Sequence, residues 1–240
     1  MANAWARDRA RTFYPAFALM AVAAVAIGFS TTYFIPGPRG TLNIPWIVHL
    51  HGWTAMAWVG LLVAQVILVR SGRSRLHRQL GKLAIPLALS VWASGIAVGR
   101  FVVARDLAEQ GDMAFAALVG TISSLSVFLA LVIAAVLLKR RPDWHKRLML
   151  LATIVVLWPA FFRFRHLMPF VPRPELTLGL LLADAPILLA AVRDRLRWGR
   201  VHPAWLYVGS LVFAEQAFEL WVFERGILAP FGKAIYQILG

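Results

Sequence analysis

Long apolar runs alternate with short polar segments along the whole chain. Seven runs stand out, at 13–34, 46–69, 83–103, 113–138, 148–162, 176–192 and 204–222. A helix needs about 20 mostly apolar residues to cross the hydrocarbon of a bilayer. The pattern therefore predicts an all-α, polytopic membrane bundle of seven transmembrane helices, forming a single domain over 1–240. The fifth and sixth runs are short, which suggests steep crossings or ends that reach the interface. The Pro/Gly-rich stretch 35–45 reads as an ordered turn. The partly apolar segment after Val222 reads as an interfacial tail.

Composition sharpens this picture. Of 240 residues, 60% are hydrophobic and 15% charged, and the mean hydropathy is +0.70. Soluble domains have about 45–50% apolar and about 25% charged residues. There is no Cys, which excludes disulfides, iron–sulfur clusters and thiolate zinc sites. The net charge of +14 would suit nucleic acid, but its placement argues otherwise. Seventeen basic residues lie in the N-terminal segment and in the loops after the second, fourth and sixth runs, against eight on the other side. The positive-inside rule then puts the N-terminus in the cytoplasm and the C-terminus outside. The expected partner is anionic lipid at the cytoplasmic face, and nucleic acid is not expected. Arg7, Arg9 and Arg11 precede the first run, which lacks a small-residue cleavage site and reads as a retained helix. Microbial rhodopsins run the opposite way and need a Lys in the last helix, where this chain has none.

The candidate chemistry lies in histidines and intramembrane acids. RLHRQLGKLA (75–84) and DWHKRLMLLA (143–152) align His77 with His145, and GRVHPAW (199–205) again puts a His before an apolar run. His77, His145 and His202 thus stand at the feet of three parallel helices. His49, His51 and His166 belong to the other side. His51, Trp58 and Gln65 are spaced by seven and form one stripe, either a cofactor slot or an interhelical hydrogen-bonding seam. His49 faces elsewhere. His145 and His166 are 21 residues apart, about 31 Å along a helix, so they belong to different sites. Neutral imidazole ligates haem iron and zinc, which makes His51, His77, His145, His166 and His202, with Gln65, candidate cofactor ligands. His77, His145 and His202 with Asp194 or Asp184 form an alternative zinc set. The alternative for Asp194 is an ion pair with Arg193, Arg195 or Arg197. Asp184, Glu215 and Glu219 lie inside spans, where carboxylates mark proton or ion routes; for Glu215 and Glu219 the alternative is an interhelical salt bridge with Arg163 or Arg165. No nucleophile motif or Gly-rich phosphate loop is present.

HLHGW (49–53), LHRQLGK (76–82), HKRLMLLATI (145–154) and GRVHPAW (199–205), with GFSTTYF (28–34) and the pair Asp184 and Asp194, resemble an uncharacterised family of bacterial inner-membrane proteins. The H-R-x-x-G and H-K-R-L-M elements are also similar to a second such family, which resembles membrane cytochromes of the b561 kind. The first resemblance implies the fold and the location. The second implies haem b and electron transfer. Three readings follow: a haem-binding, electron-transfer-linked protein; a metal-dependent membrane hydrolase; and an ion-coupled transporter or structural partner. The hydrolase reading lacks the paired-His motif that adiponectin-receptor-type proteins carry at their seventh helix.

Overall fold

A computed structural model describes residues 12–239. The described residues form helices joined by turns, with no strand. Six helical segments are long and apolar enough to cross a membrane: Trp46–Arg70, Ser74–Gln110, Met113–Leu137, Pro142–His166, Glu175–Trp198 and Ala204–Phe223. Arg7, Arg9 and Arg11 fall outside the described residues.

In chain order the α-helices are α1 (Phe13–Gly28), α2 (Trp46–Arg70), α3 (Ser74–Gly81), α4 (Ala84–Gln110), α5 (Met113–Leu137), α6 (Pro142–Phe162), α7 (Ala183–Trp198), α8 (Ser210–Phe223) and α9 (Ala229–Ile238). Wider π-helical turns extend α1 at Ser30–Phe34 and precede α7 and α8 at Glu175–Leu182 and Ala204–Gly209. α1 has 16 residues and is the shortest of the apolar candidates. The predicted fifth run begins earlier than its hydropathy shows, because Pro142, Asp143 and His145 form the polar first turn of α6. Proline suits that turn, where its missing N–H would have no intrahelical partner. Pro159 and Pro186 stand inside α6 and α7. Pro186 cannot donate to the carbonyl one turn back, and the π-helical turn ends at that carbonyl's residue, Leu182.

α6 is the most enclosed span, packed against α1, α5, α7 and the π-helical turns before α7 and α8. Its Leu148, Leu151, Ile154 and Val155 share one apolar core with Val91, Phe128, Val132 and Trp205. α1 meets α6 through Ala21, Ala24, Leu157 and Ala160. Small residues let helix backbones approach closely where lipid supplies no hydrophobic drive between helices. Gly28 is the extreme case, since a Cβ there would overlap the Ala160 carbonyl oxygen. The segment after Val222 turns at 224–228 and then forms the helix α9. α9 lies against α5, with Phe115 and Tyr236 edge to face at 5.6 Å.

Gly28→Ala must therefore push α1 off α6. It is expected to destabilise the protein by about 1–3 kcal/mol, read as an earlier thermal transition in detergent. Gly52→Ala, where nothing lies within 4 Å, is expected to leave the transition in place.

Candidate functional site

At the end of the bundle that carries the basic loops, the first turn of α6 meets the last turns of α7 and the foot of α8. Arg147 has no exposed surface, and neither has Asp194. Their side chains form a buried ion pair in which one nitrogen, Arg147 Nη2, lies 3.0 and 3.3 Å from the two carboxylate oxygens. Arg147 also donates to the Asp143 carbonyl oxygen one turn back at 3.0 Å, and Arg193 reaches Asp194 at 3.2 Å. The expected pairing of Asp194 with a neighbouring arginine is present, yet its buried partner is Arg147 on another helix. Sequence reasoning missed Arg147 and Asp143. The signal available was their spacing of four, which puts both on one face of α6.

His202 is 2% exposed and closes this network from below α8. Its Nδ1 accepts the Ala204 backbone N–H at 3.1 Å. That fixes the proton on Nε2, which donates to Asp143 at 3.2 Å in the neutral tautomer. Trp144 packs edge to face on the ring at 5.3 Å. Burial, and next the Arg147 charge, hold the imidazole below its ordinary pKa, although Asp143 opposes the shift.

The other two feet differ. His145, in the first turn of α6, places Nδ1 2.8 Å from the Ala135 carbonyl oxygen, so Nδ1 carries the proton and Nε2 keeps its lone pair. His77 sits on the separate short helix α3, with Nδ1 buried and unpartnered. Among the described residues no three His, Asp or Glu side chains gather as a metal site would require. Within the anticipated zinc set, both nitrogens of His202 are engaged and Asp194 is held by Arg147. Asp184 lies ten residues from Asp194 on α7, about 15 Å along the helix axis. His166 is exposed in a turn at the opposite end of the α6 segment from His145.

The α2 stripe faces inward. His51 Nδ1 is 3.1 Å from Ser94 Oγ, and Trp58 donates to Thr153 at 3.2 Å. Thr54 bridges the His51 carbonyl and Ser94. These are cross-helix hydrogen bonds, so the upper stripe is a seam. Gln65 continues it with both amide atoms buried and unpartnered, beside Gly81. His49 does face elsewhere, 2.8 Å from the Tyr33 hydroxyl.

The intramembrane acids lie along the contacts of α5, α7 and α8, each with its own donor. Ser123 donates to Glu215 at 2.5 Å. Ser124 donates to Glu219 at 3.0 Å. Gln216 donates to Asp184 Oδ1 at 3.3 Å. On each acid the second oxygen is buried without a partner, namely Glu215 Oε2, Glu219 Oε1 and Asp184 Oδ2. Glu219 Oε1 occupies the space that a Cβ on Gly120 would fill. The salt bridges expected from Arg163 or Arg165 are absent among the described residues, because these guanidinium groups bond the Pro159 and Phe162 carbonyl oxygens instead. The acids themselves were legible in the sequence. Their partners Ser123, Ser124 and Gln216 were not, since hydroxyls and amides are common on span interfaces.

Two outcomes test the basic-end network. Removing one partner, as in Asp194→Asn, is expected to cost about 3–5 kcal/mol, while the double change Arg147→Met with Asp194→Leu costs less than either single one. Thermal unfolding in detergent measures both. For pH, unfolded His202 takes a proton near 6.5, whereas the folded imidazole resists it until lower pH. Stability is therefore full above 6.5 and falls as pH drops below it. His202→Asn is expected to flatten that slope, read from the thermal transition between pH 7.5 and 5. No protein-family model, curated protein or solved structure matches the chain.

Proposed function

We propose that the chain is an ion-coupled carrier of a bacterial inner membrane, with seven spans and the N-terminus inside. The count of seven adds α1 and its π-helical turn to the six longer segments. The orientation rests on the basic residues of the loops after α2, α5 and α7.

One observation carries the carrier reading. Three carboxyl groups lie within spans, Asp184 buried and Glu215 and Glu219 half-buried, each held by a neutral donor and each keeping one buried oxygen without a partner. A static fold gains nothing from three buried acids without counter-ions, since each costs desolvation that one neutral hydrogen bond does not return. Such groups persist where a charge must enter and leave. Their neighbourhood also suits movement. π-Helical turns precede both α7 and α8, and such turns mark functional sites in helices.

The haem b reading remains as a second proposal, supported by one specific feature. The Ala135 carbonyl orients His145 as a ligand is oriented, with Nε2 free to donate, and the buried nitrogen of His77 and amide of Gln65 are unspent nearby. Haem there would supply one-electron chemistry. Protein purified from haem-replete cells is expected to be red with a Soret band lost in His145→Ala if this reading holds, and colourless otherwise.

The carrier reading is tested in proteoliposomes on a capacitive supported membrane. Concentration jumps of the coupling ion are expected to give transient currents, reduced at least tenfold in Asp184→Asn. Currents of unchanged size in that variant would sink it.

A further inference from the structure

We infer that the coupling ion is the proton, and that Asp184, Glu215 and Glu219 are three one-proton stations rather than one cation cage. The inference rests on the carrier reading only for what the protons are used for.

The oxygens are of a kind that would also suit a hard cation. A metal ion of that class needs several oxygens converging on one point. Among the described residues the three acids do not gather in that way. Each instead forms its own two-group unit with a different donor: Ser123 with Glu215, Ser124 with Glu219, and Gln216 with Asp184. Asp184 carries the independent observation. It is only 4% exposed, and its Oδ2 is aimed into the protein with no donor to meet it. A bare, buried carboxylate oxygen is costly, and a proton on that oxygen removes the charge without needing a second ligand.

No Lys, Arg or His among the described residues forms an ion pair with any of the three. Facing groups from α5 are Ser123, Ser124 and the Gly120 backbone; from α8 they are the Gln216 amide and the Glu215 carboxyl, which lies close enough to act on both Asp184 and Glu219, and none of them is a cation. Neutralisation must therefore come from a bound ion. Glu215 and Glu219 stand one turn apart on α8, and Asp184 is joined to that helix through Gln216. A transfer between stations breaks one carboxylic O–H bond, forms another on a neighbouring carboxylate, and moves one negative charge the opposite way. No electrons change hands.

Two measurements on the full chain decide this. Infrared difference spectra at neutral pH, between the wild type and each of Asp184→Asn, Glu215→Gln and Glu219→Gln, should show the loss of a protonated-carboxyl C=O band for at least two of the three. Absence of such bands, with ionised carboxylates in all three, overturns the proton assignment. In proteoliposomes, a pH jump at fixed sodium and potassium should give current, and a sodium or potassium jump at fixed pH should not. Current with the alkali cations alone overturns the proton assignment and leaves the carrier reading standing. Protonated bands without any current leave the stations standing and overturn the carrier reading. Gly120→Ala adds a check on place: it should shift the Glu219 band and leave those of Asp184 and Glu215 unchanged, and a shift in all three would contradict separate stations.

Discussion

Arg147 is the charge on which the basic end of the bundle depends. A guanidinium without exposed surface must be held by a carboxylate and by backbone carbonyls, or the fold pays its full desolvation. Asp194 on α7 supplies the first and Asp143 the second. That requirement fixes how far α7 descends beside α6. It also explains the place of His202, whose neutral ring reaches the carboxylate of the same Asp143 and draws the foot of α8 inward. One buried cation thus ties three elements at that end.

The same constraint has the opposite result deeper in the bundle. Asp184, Glu215 and Glu219 meet only neutral donors. At the basic end Arg147 meets Asp194 and His202 meets Asp143, whereas each of these three acids keeps an oxygen without a donor. Between them lies packed apolar core, including Leu151 and Ile187 beside Gly209. The two polar regions differ in kind: one pairs opposite charges across helices, and the other meets its acids with neutral donors alone.

The histidines show how far spacing alone leads. His77 and His145 align in the sequence, yet one sits on a separate short helix and the other on the first turn of a long span. Similar strings therefore produced different local structure: the chain tightens to three-residue turns at Lys82 and Leu83 after α3, whereas α6 continues as α-helix past the same point. The His51 stripe fared better. A seven-residue spacing keeps one face of a helix in register, and His51 and Trp58 do meet partners across the interface.

Hydropathy by itself determined the helical membrane class and the approximate spans, since an apolar segment in lipid has few ways to satisfy its backbone other than as a helix. It also marked the acids as out of place within those spans. It could not decide their partners, because Ser123, Ser124 and Gln216 are brought to them only by packing of α5 against α8 and of α8 against α7. Nor could it find Arg147, which in the sequence is one basic residue among many in a positive loop. Burial is a property of the assembled bundle, and burial turned that loop residue into the anchor of three helices while leaving three carboxyls each with an oxygen to spare.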